Sequence, residues 1–165
     1  MRIPLEDEIM KLWKVITALL LVFALAACSS DDDDDDVPTV ITYDVTLEGS
    51  QEVPPVMTDA MGSATVTFDA DTNEMTLTGS VSNLSSPLFD VGDVGPAHVH
   101  AAPAGENGGV AFPIDVTQSN DGLSATLSLT ETLTEEQAST LQSGGYYINI
   151  HTENFNSGEL RGQIQ

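Results

Sequence analysis

Short stretches of alternating apolar and polar residues run from residue 39 to the end of the chain. A period of two is typical of β-strands with one buried face, and the Thr, Val and Ile that dominate these stretches favour half-buried strands. Strands are predicted at 41–48, 64–69, 75–81, 95–101, 109–116, 122–130, 145–152 and 158–164. Residues 71–73, with the sequence Asp-Thr-Asn, predict a hairpin turn between the second and third of them.

One segment departs from this alternation. Thr134 and Gln137 have the spacing of a helix capping box, which predicts a short helix near 134–142. Gly144 and Gly145 follow and would end it. No alternation of strands with long helices is present, so a parallel sheet is not indicated. The pattern predicts an all-β domain, an antiparallel sandwich or Greek-key barrel of about eight strands with one short helix.

The first 27 residues have the features of an export signal. A basic stretch at 10–14 precedes an apolar stretch at 15–27 that is short for a membrane-spanning helix. Small residues then lead to Cys28, and this ending resembles a bacterial lipobox, which implies cleavage before Cys28 and lipid attachment to it. The alternative is an ordinary signal peptide followed by an unrelated cysteine. Residues 1–9 fit a signal poorly, so we expect Met10 to be the true start.

Residues 28–38 contain a run of aspartates at 31–36, whose carboxylates repel one another and bury nothing. We expect this segment to be an acidic tether between a lipidated Cys28 and a folded domain at 39–165. An acidic run after the lipid anchor also resembles the surface-export signals of some bacterial lipoproteins. The chain is therefore expected in the cell envelope, anchored to a membrane through Cys28, at the outer membrane or cell surface rather than at the inner membrane.

The charge of the chain is concentrated after the signal. Residues 28–165 carry 23 acidic residues and a single basic one, Arg161, which accounts for the net charge of −22. Such a chain repels nucleic acid, and it favours metal ions or basic proteins as partners. The alternative is that the charge only keeps the protein soluble. Cys28 is the only cysteine, so no disulfide can form within the chain.

The three histidines form the only constellation that could carry chemistry. His98 and His100 lie two residues apart and therefore on one face of a strand, while Ala97 and Val99 lie on the other. His151 follows a second predicted strand and is out of phase with its apolar residues. We expect all three side chains to face away from the core, and to converge if the two strands are neighbours.

Imidazoles in this arrangement are suited to copper or zinc. The pair His98 and His100, with His151 on a later strand, resembles the copper ligands of Cu/Zn superoxide dismutases. No bridging histidine, zinc loop or disulfide accompanies them, which favours a simpler mononuclear site. The alternative is structural: the rings hydrogen-bond to Glu, Asp or backbone groups and hold the strands in register. No Gly-x-Ser-x-Gly elbow is present, and catalysis is not evident.

Arg161 is expected to have a structural role as the single cation of the mature chain. We expect its guanidinium to form a bidentate pair with a carboxylate, and Glu52 in the run Glu-Val-Pro-Pro is the candidate partner.

Four segments together resemble the CHRD domain, a family named from chordin and also found in bacterial secreted proteins. They lie at 47–56, 96–109, 141–152 and 157–164, and include Pro-Ala-His-Val-His-Ala and Gly-Glu-Leu-Arg-Gly. The resemblance implies an immunoglobulin-like β-sandwich over residues 39–165. In chordin, such domains belong to an extracellular protein that binds growth factors. We therefore expect a lipid-anchored extracytoplasmic binding module without evident catalysis; the alternative is a copper- or zinc-binding protein for metal storage or redox chemistry.

Overall fold

The structure, a computed structural model, describes residues 39–165. It contains nine strands and one α-helix, besides two 3-10 turns at Gly49–Gln51 and Gly92–Val94. The elements in chain order are β1 (Val40–Glu48), β2 (Met61–Asp69), β3 (Glu74–Ser82), β4 (Ala97–Ala101), β5 (Gly109–Pro113), β6 (Asp115–Gln118), β7 (Ala125–Thr132), α1 (Glu135–Gln142), β8 (Tyr146–Ile150) and β9 (Leu160–Ile164). The expected lipid anchor, signal and tether at 1–38 lie outside the described residues.

The strands form a single antiparallel sheet in the order β5-β4-β8-β9-β1-β2-β3-β7-β6. Strands β1, β2 and β3 form a continuous meander, in which Val40 lies opposite Asp69 and Glu74 opposite that same aspartate. The predicted turn at 71–73 joins β2 to β3, and Asp69 Oδ1 accepts the amide of Asp71 at 2.9 Å. This hairpin is therefore confirmed.

The two edge strands of the sheet follow one another directly in the sequence. Strand β5 forms one edge and β6 the other, and only Ile114 separates them. The sheet must therefore curl until its edges almost meet, as a nearly closed barrel. Ile114 is buried, and its amide donates to the carbonyl of Ala97 at 3.0 Å.

The single strand predicted at 109–116 is thus two strands, which raises the count from about eight to nine. The physical reason is Pro113, which has no amide hydrogen for a continued ladder and precedes the bend. The predicted fold class, an all-β antiparallel sandwich or barrel, is confirmed.

The core fills the inside of this curled sheet, and it is lined by the apolar positions of the alternating pattern. Strand β1 contributes Val45 and Leu47, and β4 contributes Ala97 and Val99, all at most 3% exposed. Because every strand sends alternate residues inward, the polar positions lie on the outer face of the sheet.

Helix α1 closes the connection from β7 to β8. The hydroxyl of Thr134 accepts the amide of Gln137, and the side chain of Gln137 accepts the amide of Thr134, which is the predicted capping box. Ala138 and Leu141 bury the inner face of the helix, and Gly144, at φ 71°, follows its end. Within the part of the chain that the structure describes, no helix is long and apolar enough to cross a membrane.

Candidate metal centre

Strands β4 and β8 are neighbours in the sheet, and their pairing brings the histidines together. His98 lies opposite Asn149, and His100 lies opposite Tyr147. His151 follows the last residue of β8, where its amide donates to the carbonyl of Pro96 at 2.8 Å. The sequence-based condition for a shared site, that the two histidine-bearing strands lie side by side, is therefore met.

The expected strand phase is confirmed, although the face that carries the histidines is buried rather than exposed to solvent. Ala97 and Val99 lie in the core, and the histidines lie on the opposite face. That outer face is nevertheless covered: His98 is 1% exposed and His151 is 5% exposed. Loop segments at 49–58, 102–108 and 153–158 supply hydrogen-bond partners to this face, which alternation within a strand does not reveal. The polar face of β4 and β8 is thus largely shielded from solvent, and His100 on it is half-buried.

The three imidazoles lie close together on this covered face. His98 Nδ1, His100 Nε2 and His151 Nε2 are buried and have no hydrogen-bond partner among residues 39–165. One nitrogen from each ring lies within 4.8 Å of those of the other two. The rings of His98 and His151 stack with centroids 4.6 Å apart, and those of His98 and His100 are 4.9 Å apart. These three residues form what we call the histidine cluster.

Backbone carbonyls fix the tautomer of two of these rings. His100 Nδ1 lies 2.9 Å from the carbonyl of Gly108, and His151 Nδ1 lies 3.0 Å from the carbonyl of Asn156. Because a carbonyl oxygen can only accept, each Nδ1 carries the hydrogen, and each neutral ring keeps its lone pair on Nε2. Metal-binding histidines use the same arrangement, in which an outer partner of one nitrogen orients the other toward the ion.

Burial lowers the pKa of all three imidazoles. The pKa of His98 falls from 6.5 to about 4, first because burial disfavours the charged ring and then because His151 and His100 lie nearby. Burial is also the main cause of the lowered pKa of His100 and of His151. The cluster is therefore neutral at neutral pH, which is the form in which imidazole binds metal ions.

The spacing of the cluster requires only a small contraction around an ion. Three atoms within 4.8 Å of one another lie at most about 2.8 Å from a common centre, compared with zinc–nitrogen bonds of about 2.0–2.1 Å. At that limit, each nitrogen has to move inward by about 0.7 Å to reach bonding distance. Three ligands also leave one position of a tetrahedral ion open.

Arg161 does not form the expected bidentate pair with Glu52. Among residues 39–165, its guanidinium donates to Asn107 Oδ1 at 3.3 Å, to Gln163 Oε1 at 3.2 Å and to the carbonyl of Pro103 at 3.4 Å. Its carbon Cζ lies 3.6 Å from the ring centroid of Tyr147. The prediction failed because Glu52 takes a different partner, Asn149, while a loop brings neutral acceptors to the arginine.

Glu52 is buried, and its side chain binds a residue of β8 instead of the arginine. Its Oε1 accepts Asn149 Nδ2 at 2.5 Å. Burial raises its pKa to about 7, although the hydrogen bond from Asn149 and the charge of Arg161 act in the opposite direction.

Glu159, which the sequence pattern did not single out, is completely buried. Its carboxylate accepts the hydroxyls of Thr58 at 2.6 Å and Thr152 at 2.7 Å, and the amide of Ser85 at 3.1 Å. It thereby joins the loop at 49–58 and the segment that follows β3 to the start of β9. Its position two residues before Arg161, on the same strand face, is the only signal of this in the sequence.

Comparison with known proteins identifies one family. A family model described as CHRD domain matches residues 43–164, which include all three histidines, Glu52 and Arg161. No curated protein and no solved structure matches the chain significantly.

Proposed function

The chain belongs to the CHRD domain family, and we propose that its domain binds one copper or zinc ion through His98, His100 and His151. The observation that carries this proposal is the convergence of three buried, unpartnered imidazole nitrogens. A bound ion would supply a Lewis-acidic or redox-active centre with an open coordination position. The proposal extends to binding, and no catalytic step is assigned.

A purely structural role explains these histidines less well. Rings that only hold strands in register would direct their nitrogens to carboxylates or backbone groups. Here the carbonyls of Gly108 and Asn156 bind one nitrogen of His100 and one of His151. Among residues 39–165, the other nitrogen of each ring and Nδ1 of His98 are buried without a partner. Each unsatisfied buried polar atom costs about 1–3 kcal/mol, and three at one place are a large cost for a domain to keep without a ligand.

The surroundings of the cluster support a cation as its ligand. The chain carries a net charge of −22, so its surface attracts positive ions electrostatically. His100 is only half-buried, so the cluster is less enclosed on the side of this residue than on the others. Neutral imidazoles without thiolate ligands are suited to zinc and copper rather than to calcium or magnesium, which prefer oxygen.

Metal titration of the purified protein tests this proposal. We expect one equivalent of zinc or copper to remain after dialysis, as measured by elemental analysis, and the double variant His98→Ala/His100→Ala to retain none. Both proteins keep the aspartate run at 31–36, so weak binding to that segment is the same in each. If the parent protein retains no metal after dialysis against micromolar copper or zinc, the proposal is wrong.

We also propose that Cys28 anchors this domain to a bacterial envelope membrane through lipid. The support is the basic stretch, the apolar stretch and the small residues that precede the cysteine. Fractionation of cells carrying the parent protein and Cys28→Ser tests it. The parent is expected in the membrane fraction and the variant outside it, and equal distribution of the two would contradict the anchor.

A further inference from the structure

We propose that Arg161 is a positioning residue of the metal centre, which holds His100 in its ligand orientation. This inference rests on the proposed metal binding for its functional meaning, but the positioning itself can be measured without metal. Two separate routes connect the guanidinium to the imidazole: one passes through the ring of Tyr147, and the other through the loop at 102–108.

The first route is a stack across three neighbouring strands. Arg161 Cζ lies 3.6 Å from the ring centroid of Tyr147. The rings of Tyr147 and His100 are nearly parallel, at 6°, with centroids 4.9 Å apart. Because β8 lies between β4 and β9, the tyrosine ring separates the guanidinium from the imidazole. The planar guanidinium thus holds the ring that fixes the plane of His100.

The second route is the loop that supplies the carbonyl partner of His100. Arg161 donates to Asn107 Oδ1 at 3.3 Å and to the carbonyl of Pro103 at 3.4 Å. These two hydrogen bonds fix the loop near both of its ends. The next residue, Gly108, accepts the Nδ1 hydrogen of His100 at 2.9 Å. The Gly108 amide in turn donates to the hydroxyl of Tyr147 at 3.3 Å, so the two routes meet.

The loop at 102–108 is packed so closely against strand β4 that its backbone has little room to move. A Cβ atom at Gly108 would overlap the carbonyl of Ala101, so the backbone can pass this close to β4 only with glycine. Asn107 Nδ2 also donates to the carbonyl of Val53 at 2.8 Å, which joins this loop to the loop that carries Glu52. Arg161 is 1% exposed, and within the described part of the chain its hydrogen bonds go to neutral acceptors, so they serve the placement of this loop rather than an ion pair.

Two variants separate this role from general stability. Asn107→Ala removes the loop contact at an exposed residue, and Arg161→Lys keeps the charge but loses the planar stack and the fork of donors. Val81→Ala is the control, since it truncates a buried side chain on β3, away from β4, β8 and β9 in the sheet. The measurements are the tautomer of His100 by nitrogen-15 NMR in metal-free protein, and the zinc dissociation constant.

In the parent and in Val81→Ala, we expect His100 to hold its hydrogen on Nδ1. In Asn107→Ala and Arg161→Lys, we expect a mixture of tautomers and a zinc dissociation constant weakened about 10–100-fold, as for other outer partners of metal ligands. An unchanged tautomer and a dissociation constant within about twofold of the parent in both variants would overturn the inference.

The two proposals fail in different ways. If the parent binds no zinc but the His100 tautomer still changes in both variants, the metal proposal is wrong and the positioning role of Arg161 stands. If the parent binds zinc and neither variant differs from Val81→Ala, the positioning role is wrong and metal binding stands.

Discussion

Asn149 Nδ2 donates a 2.5 Å hydrogen bond to Glu52 Oε1, joining strand β8 to the loop that covers its polar face. Both residues are buried, at 3% and 7% exposure. The same asparagine also donates to the carbonyl of Leu160 at 3.2 Å, so it connects the covering loop to β9 as well. Glu52 therefore holds the cover of the histidine cluster, at the cost of placing a carboxyl group where its charge is poorly solvated.

This cost makes the stability of the domain depend on pH. Burial raises the pKa of Glu52 from 4.5 to about 7, so the folded state binds a proton more tightly than the unfolded state does. Its contribution to stability is complete below pH 4.5 and is lost as the pH rises to about 7. The loss is on the order of 2–3 kcal/mol.

Glu52→Gln should remove this dependence, since the amide oxygen still accepts from Asn149 but cannot ionise. We expect the free energy of unfolding of the variant, relative to the parent, to increase by about 2 kcal/mol between pH 4 and pH 8. Denaturant unfolding of metal-free protein at both pH values measures it. Glu106→Gln, at an exposed loop residue, controls for the change in net charge. A difference that does not change with pH would show that Glu52 is not the titrating group.

The hydrogen bond between Asn149 and Glu52 also depends on Gly158. Its φ of 131° disfavours any other residue, and a Cβ there would lie 2.5 Å from Glu52 Oε1 and 2.7 Å from Asn149 Nδ2. Gly158→Ala should therefore destabilise the domain by about 1–3 kcal/mol through backbone strain, and by more through displacement of the carboxyl group. Because a Cβ at position 158 would press against the Glu52 carboxyl group, Gly158→Ala should lower the free energy of unfolding by less in a Glu52→Ala background. A double-mutant cycle measures this difference. Additive effects would contradict the contact.

The histidine cluster gives the opposite pH dependence. The lowered pKa of His98, about 4, means that the unfolded state binds protons more readily below pH 6.5. Stability present above pH 6.5 is lost as the pH falls toward 4, by on the order of 2 kcal/mol. His98→Asn should lessen this loss in metal-free protein, so its stability relative to the parent should rise between pH 7.5 and pH 4.5. Urea unfolding with a chelator present is the measurement, and a parallel decline of both proteins would refute the prediction.

The architecture could be predicted from sequence because it depends on local patterns. Alternation located every strand within a few residues, and Thr134 with Gln137 located the helix. The exception, at Ile114, arose because a bend between the two edges of a sheet is a tertiary event: apolar alternation continues through it, and only Pro113 indicates a break. The convergence of the histidines also followed from strand phase, once β4 and β8 were paired.

The surroundings of the cluster could not be predicted in this way. Burial of the polar face depends on loops at 49–58, 102–108 and 153–158, which have no periodicity to reveal where they fold. The pairing of Arg161 with Glu52 was expected from charge alone, but loop placement gave the arginine Tyr147 and Asn107 instead. Contacts between strand residues and loop residues join positions that lie far apart in the sequence. The local pattern of apolar and polar residues does not contain this spatial information.

Zinc should stabilise the folded domain if the three unpartnered nitrogens bind it. Binding to the folded state alone, at a free zinc concentration about 100 times the dissociation constant, adds about 2.7 kcal/mol. For a domain of this size, that corresponds to a rise in Tm of about 10 °C. Differential scanning calorimetry of the protein with zinc and with a chelator measures the rise. His151→Gln should abolish it, because it removes one of the three clustered imidazoles. Gln137→Ala, on α1 and thus outside the strands that carry the histidines, should retain it in full. An equal rise in His151→Gln would place the bound zinc elsewhere, and no rise in the parent would mean that these histidines bury their nitrogens without binding it.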